Sequence, residues 1–326
     1  FGNWPISYNE LAPWYTHVEI FAGISGNYDK LETLPDGSFL PAWEMNCVEK
    51  DMQASINKKF TDRHVIQGRC AHLTVPQPIH IEQGRQQCQA RSLCERGCPF
   101  GGYFSSNAST IPWAQKTGNL TLQVNSVVHS IIYDEASQKA SGVRVIDSET
   151  KKVTEYYAKI IFLNAATLNT NLILLNSISS RFPNGLGNDS GILGTHMAFH
   201  SYRGRITAEY DGDLGYKTEG KRPTSGYIPR FRNVGNDKRD YLRGFGYQGS
   251  GNRQGWRHDV AEFSIGGEFK DAMTEPGIWT VGMGGFGEML PDPTNKVTLD
   301  KNVKDKWGLN VLNIDCELKE NEKTIL

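Results

Sequence analysis

The chain of 326 residues predicts a mixed fold, α+β with an α/β portion, in which a β-meander stands beside an antiparallel sheet. Three observations carry that prediction. Near the start, apolar residues recur at helical spacing behind a helix-capping signal. In the middle, strand-like runs follow one another and end in Ile160-Ile161-Phe162-Leu163, apolar on both faces. After Tyr202, Gly, Arg and aromatic residues interleave in short runs with turn residues at regular intervals, the pattern of antiparallel strands.

The totals set bounds on function. A formal net charge of -1 excludes binding of nucleic acid or anionic membrane by bulk electrostatics. The sequence has no run of eighteen apolar residues, so no transmembrane helix is expected. The length accommodates two domains with cores of their own.

Ser7-Tyr8-Asn9-Glu10 is a capping box, with Ile6 and Leu11 placed as its hydrophobic staple. Leu11, Trp14, Tyr15, Val18 and Phe21 follow at helical spacing up to Gly23, which predicts a helix with its aromatic face in a core. Pro35-Asp36-Gly37 marks a surface turn. A helix is expected over Met45–Phe60 and a strand around His64–Ile66. Pro76 and Pro78 make Ala71–His80 an extended loop. His72 and His80 are potential ligands there, but loop histidines are mostly solvated.

A short helix should end near Thr117-Gly118. Leu120, Leu122 and Val124 alternate with Thr121 and Gln123, predicting a strand with one buried face. Strands over Val127–Tyr133, Gly142–Asp147 and Val153–Leu163 complete the meander. The apolar run closing the last one suggests a central strand covered on both sides. Asn164–Thr167 is a small-residue turn, and Asn171–Ser177 a helix. His196 and His200 sit one helical turn apart, a spacing that can bind metal, yet the Glu of H-E-x-x-H is missing. Beyond Tyr202, strands are expected over Arg203–Tyr210, Tyr227–Arg232, Tyr241–Tyr247, Phe263–Phe269 and Ile278–Met283. Arg203, Arg205, Arg230 and Arg232 are candidates for a polar pocket or for a solvent face. Gly282-Met-Gly284-Gly-Phe-Gly287 spells G-x-G-x-x-G, but Pro291 and Pro293 follow and no helix N-terminus is available for a pyrophosphate.

The chemistry concentrates in Cys88-Gln89-Ala90-Arg91-Ser92-Leu93-Cys94-Glu95-Arg96-Gly97-Cys98-Pro99. Three of the six cysteines fall within eleven positions. Gly97 permits a tight fold beside Cys98, and Pro99 fixes the exit direction. A Cys-Pro pair closing a tight cysteine run also occurs in ferredoxin motifs, whereas the spacing departs from the paired C-x2-C hooks of a zinc ribbon. On spacing alone a metal or iron–sulfur centre, a disulfide with one free thiol, and three buried thiols all remain open. Cys47, Cys70 and Cys316 read as small buried apolar residues.

Several stretches resemble the glucose–methanol–choline (GMC) oxidoreductase family. Asn3-Trp4-Pro5-Ile6-Ser7-Tyr8 through Tyr15 is similar to its W-P-I-x-Y-x-x-L-x-P-Y-Y phrase. Asn119-Leu-Thr through Val145 and Phe162-Leu-Asn-Ala-Ala-Thr through Ser177 resemble the later half of its flavin domain, with Ala166, Thr167 and Asn171 departing from the usual Gly, Ala and Pro. Asn184-Gly-Leu-Gly-Asn188 through Gly194 resembles its G-L-G-N-x-S-G-x-V-G loop, and Phe286–Asp300 its G-E-x-L-P…N-x-V-x-L-D strand pair. Cys88, Cys94 and Cys98 look like the ligand set of its iron–sulfur dehydrogenases.

The resemblance implies a partial FAD-binding Rossmann-like domain with a β-meander, joined to an antiparallel-sheet substrate domain. The divisions expected are a helical segment over 1–70, a cysteine-rich loop over 71–118, the later half of the FAD domain over 119–200, and part of the substrate domain over 201–326. The backbone of Val128 should hold adenine, and Ala165 and Ala166 should approach FAD. An amide and carbonyl pair reads a purine edge at about 1 kcal/mol each, and only small side chains let the backbone come near a ligand. Cys88, Cys94 and Cys98 should hold an iron–sulfur cluster of the 3Fe-4S type. The implied activity is oxidation of a sugar or polyol hydroxyl, with a small subunit and a cytochrome acceptor as partners and a location in or at the bacterial periplasm. The family's N-terminal G-x-G-x-x-G and C-terminal histidine pair are not in these residues, so the chain is read as an internal piece of a longer flavoprotein, without turnover by itself. A cluster-free oxidase using oxygen, or a non-enzymatic metal-stapled module, would fit the same cysteines differently.

Overall fold

The structure is a computed structural model that describes residues 4–201, 204–215, 224–255, 265–274 and 276–326. In chain order the helices are α1 (Tyr8–Ala22), α2 (Cys47–Lys59), α3 (Pro78–Glu82), α4 (Thr110–Lys116), α5 (Ala166–Asn176), α6 (Gly266–Ala272) and α7 (Glu320–Ile325). The strands are β1 (Ile66–Gln67), β2 (Ser126–Asp134), β3 (Lys139–Asp147), β4 (Val153–Tyr157), β5 (His200–Ser201), β6 (Arg205–Tyr210), β7 (Gly226–Ile228), β8 (Phe245–Arg253), β9 (Trp279–Glu288), β10 (Lys296–Lys304) and β11 (Asn310–Asp315). They form two compact units, one of Phe1–Leu120, Ser201–Glu288 and Thr324–Leu326, the other of Thr121–His200 and Met289–Lys323.

The first unit is built on an antiparallel sheet ordered β1-β7-β8-β9-β5, with β6 also pairing β9. Val65, Ile228 and Met283 form its buried centre, packed by Met45, Met52 and Ile56 from in and around α2. The G-x-G-x-x-G letters lie inside β9, paired along β8 from Gly249↔Met283 to Phe245↔Gly287. Glycine serves close strand approach there: a Cβ on Gly249 would meet the backbone of Gly282 and Met283. The expected strand over Phe263–Phe269 is helical from Gly266 onward, as α6; Phe263 and Ser264 lie outside the described residues.

α1 begins as expected, with both halves of the Ser7–Glu10 capping box formed and Gly23 closing the helix at φ 72°. Its aromatic face is not in a core. Trp14 is 67% and Val18 57% exposed, and the helix is anchored at its far end, where Phe21 rests against Phe104 and Trp113 and Ala22 is buried. Periodicity identifies an apolar stripe but carries no information on whether another element lies opposite it.

The second unit holds the meander β2-β3-β4, in close agreement with the strands expected over Val127–Tyr133 and Gly142–Asp147. Here α5 packs against β2, β10 and β11. Ser177 ties helix to sheet, accepting from the Ile131 amide at 2.8 Å and donating to the Ile173 carbonyl at 2.6 Å. The β10–β11 hairpin is held to the loop before it by Gly194. This residue has φ 83°, and a Cβ there would stand 2.4 Å from the Val297 carbonyl oxygen. Trp307 at the hairpin tip donates to the Ser148 carbonyl at 3.2 Å.

Two expectations fail in or at the edge of this unit. Leu120, Leu122 and Val124 are exposed and belong to no strand; alternation marks a strand only where a neighbouring strand supplies hydrogen bonds, and β2 starts at Ser126. β4 stops at Tyr157, leaving Ile160 72% and Phe162 81% exposed outside every described strand. An apolar run becomes a central strand only with a layer on each face, and no described residues supply those layers. His196 and His200 lie in no helix, so the one-turn spacing does not bring the two rings onto one face. No helix among the described residues is long and apolar enough to cross a membrane.

Candidate metal centre and flavin-contact residues

The cysteine run folds as a compact hairpin anchored by backbone bonds. The Cys88 amide donates to the Leu73 carbonyl at 2.7 Å, the Leu73 amide to Gly102 at 2.7 Å, and the Gln86 amide to Phe100 at 2.8 Å. Between these anchors Ala90, Ser92, Gly97 and Gly101 all have left-handed φ. Alternating handedness of this kind turns backbone N–H groups inward, and Cys94–Arg96 forms a short 3-10 turn within the loop. The result gathers the three thiols. Cys88, Cys94 and Cys98 line one small, partly open pocket together with Leu93, Phe100 and Tyr103.

The electrostatics differ from thiol to thiol. Burial pulls the Cys98 thiol upward, but the backbone N–H groups of Tyr103, Phe100 and Gly102, with Arg91, outweigh it and leave its pKa below the usual cysteine value. Burial pushes the Cys88 thiol up against one opposing N–H, that of Ala90 at 3.4 Å from the sulfur. N–H donors aimed at sulfur favour the thiolate, the form that ligates metal. All six cysteines are free thiols. Among the described residues no three Cys, His, Asp or Glu side chains stand close enough together to hold a single metal ion. A polynuclear cluster separates its thiolates by its own width, so a common pocket with inward N–H groups remains a chemically suitable donor set for one.

His72, one of the two loop histidines considered as ligands, comes to this site, and so do Cys70 and Arg85, to which the sequence assigns no site role. His72 Nε2 lies 3.6 Å from Cys94 Sγ, and its ring is buried against Tyr103. Burial lowers its pKa to about 4, and its Nδ1 has no hydrogen-bond partner. Cys70 is held above the usual thiol value first by burial and then by the charge of Cys94. Arg85 is buried beneath the same loop. None lies within the cysteine run, and the hydrogen-bonded approach of Leu73 and Gly102 is what brings this stretch to it. His80, in contrast, is fully occupied: Nδ1 accepts from the Gln77 amide at 2.9 Å, while Nε2 meets the Ile20 carbonyl at 2.8 Å.

The candidate flavin contacts lie in the second unit. Val128 sits half-buried in β2 opposite Val145, immediately before a bulge that shifts the register at His129. Ala165 caps α5 with no side-chain hydrogen bond to the first turn, and Ala166 opens the helix at φ 58°. The first-turn N–H groups of α5 therefore lack a side-chain acceptor, the condition in which a helix start receives a ligand's oxygens. A left-handed φ is where glycine is the unstrained choice, which accounts for the glycine at this place in the flavin-domain pattern. Of the four arginines considered for a polar pocket, Arg205 and Arg230 are exposed, Arg232 reaches Asp237 at 3.6 Å, and Arg203 lies outside the described residues.

Comparison with known proteins places the chain in a family. A family profile described as GMC oxidoreductase matches residues 1–201. The chain belongs to the GMC oxidoreductase family. A 2-methyl-1,2-propanediol dehydrogenase of Mycolicibacterium austroafricanum is 27% identical over 98% of this chain and 57% of its own length. A fructose dehydrogenase large subunit of Gluconobacter japonicus is 24% identical over 94% of this chain and 55% of its own length. The chain thus spans about half the length of these relatives. Membership of the GMC family implies a Rossmann-like FAD-binding fold, and the antiparallel sheets with surrounding helices accord with an α+β arrangement. The unfilled start of α5 and the small residues there suit a GMC chain that brings its backbone close to FAD.

Proposed function

We propose that this chain serves an FAD-dependent dehydrogenase that oxidises the hydroxyl of a sugar or polyol, with electrons leaving through a cluster at Cys88, Cys94 and Cys98 to a cytochrome-type acceptor. The observation that carries the reading is the convergence of the three thiols on one pocket, with three backbone N–H groups favouring the Cys98 thiolate. When bound, FAD accepts a hydride and an iron–sulfur cluster carries single electrons. This chain's residues bind and orient. Cys88, Cys94 and Cys98 would supply the sulfur ligands, with Leu93, Phe100 and Tyr103 lining the same pocket. The Val128 backbone and the Ala165–Ala166 start of α5 would hold the flavin nucleotide. The substrate class rests on kinship with two relatives named for a diol and a ketose.

A second reading keeps FAD but no cluster, with oxygen as acceptor and the cysteines structural; burial, which holds the Cys88 thiol above its usual pKa and so in the neutral form that does not ligate metal, favours it. Iron and acid-labile sulfide analysis after anaerobic purification, alongside FAD quantification, separates the two. Iron and sulfide in fixed ratio to FAD, lost in Cys98→Ser and retained in Cys316→Ser, is the expected result. FAD with neither iron nor sulfide rejects the electron exit and leaves the oxidase.

A further inference from the structure

We propose that the cleft bounded by Gly84, Arg96, Gly101, Ser105, Asn107 and Lys116 binds a phosphate group, free or as the monoester of a small molecule. The cleft lies within the first unit and shares only Gly97, Cys98 and Pro99 with the pocket of the three thiols. Among the described residues no Asp or Glu lines it. Arg96 and Lys116 carry its charge, and neither has an acidic partner among the described residues. Lys116 ends α4. A Cβ on Gly84, whose φ is 80°, would meet its Nζ at 3.5 Å, so the ammonium hangs over bare backbone. Ser105 Oγ accepts from the Ala108 amide at 3.2 Å, which leaves its proton for a ligand. The Asn107 carboxamide makes no hydrogen bond among the described residues and offers two more donors.

A third cation backs the cleft. Arg85 is 2% exposed; its Nε donates to the Gly101 carbonyl at 2.8 Å and its Nη1 to Gln83 Oε1 at 3.2 Å. Gly101 and Gln83 both line the cleft. Arg85 Nη2 is buried with no acceptor. Single surface cations are common and gain little from their surroundings. Two that share an acid-free hollow, with a buried guanidinium bonded to its lining, make a positive potential that draws an anion. Charge and shape select the anion. A phosphate monoester carries about −1.5 to −2 charges at pH 7, which answers Arg96 and Lys116 together, where a carboxylate answers one of them. Its oxygens suit the planar fork of arginine and the point charge of lysine, with the neutral donors of Ser105 and Asn107 left for the remaining lone pairs.

The test is isothermal titration calorimetry of the purified protein with inorganic phosphate, glycerol 3-phosphate and acetate, and it needs neither FAD nor iron. Both phosphate compounds should bind saturably at one site, with acetate at least about tenfold weaker because it meets only one of the two charges. The tighter of the two phosphate compounds tells whether free phosphate or a monoester is the ligand. Arg96→Gln and Lys116→Gln should each weaken phosphate at least about tenfold, the worth of one charge-assisted hydrogen bond. Asn107→Asp, which adds a carboxylate to the cleft at unchanged size, should abolish binding. Lys151→Gln, outside the cleft, should leave it unchanged. All four side chains are exposed, so each variant should keep the wild-type circular dichroism spectrum. Wild-type protein with no saturable heat for either phosphate compound overturns the proposal before any variant is made. Acetate bound as tightly as phosphate also overturns it, as does phosphate affinity retained in Arg96→Gln, Lys116→Gln and Asn107→Asp.

Discussion

A Cβ on Gly102 would stand 2.8 Å from the Cα of Cys88. The two residues are joined through Leu73, whose amide donates to the Gly102 carbonyl and whose carbonyl accepts from the Cys88 amide. The first cysteine of the hairpin is thus set by a backbone contact that only glycine permits. Gly102→Ala should destabilise the unit by about 1–3 kcal/mol, the usual penalty for overpacking, and lower iron retention. Gly118→Ala is the control: its φ is 72° with open space around it, so only the left-handed penalty of about 1 kcal/mol applies. Urea midpoints of the two variants measure the difference; equal midpoints would show that the hairpin yields at Gly102.

Glu49 closes a capping box with Asn46 at the start of α2, and its side chain also accepts from the Gly251 amide of β8 at 3.2 Å. Asn46 Nδ2 donates to the Gly251 carbonyl at 2.6 Å, so one residue of β8 is bonded to both members of the cap. Glu49 is fully buried. Glu49→Ala strands buried N–H groups and should destabilise the protein by about 2–4 kcal/mol. Glu10→Ala removes the equivalent cap from α1 in an exposed setting and should destabilise far less than Glu49→Ala. Thermal or urea unfolding orders the two, and a reversed order would refute the docking role.

His80 and His72 are buried in the neutral form, and burial lowers both pKa values, that of His72 to about 4. As pH falls below the ordinary value of about 6.5, the unfolded chain takes up these protons first. Their contribution to stability is therefore complete above about pH 6.5 and is lost as pH falls toward about 4, amounting to about 3 kcal/mol for His72. Unfolding free energy measured at intervals from pH 8 to pH 4 should fall across that window, and His72→Gln should flatten part of the slope. A wild-type profile level across the window would show that neither ring is buried neutral.

Ala166 holds a φ of 58° at the first position of α5. Ala166→Gly removes left-handed strain of about 1–2 kcal/mol but adds freedom to the unfolded chain worth about 0.4–1 kcal/mol. A net gain of about 0.5–1 kcal/mol is expected, read as a higher urea midpoint. Ala165→Val, which adds bulk beside the open helix start, should weaken FAD retention during gel filtration while leaving that midpoint nearly unchanged.

What the amino-acid sequence determined by itself is local. The Ser7–Glu10 cap, the Gly23 stop and the strands on either side of Ala136 were legible because each depends on bonds within a few residues or on a simple hairpin pairing. The three cysteines of the hairpin were legible as a group because the chain that joins them is too short to separate them. What only the tertiary structure decided is which apolar stripe meets a partner and which charged side chain is enclosed. Trp14, Leu122 and Phe162 share the patterns of buried residues and yet are exposed, while Arg85 has the character of a surface residue and is enclosed at 2% exposure. Burial belongs to a pair of surfaces rather than to one segment, and Leu73, Gly101 and Ala22 come to the cysteine hairpin only when the chain has folded.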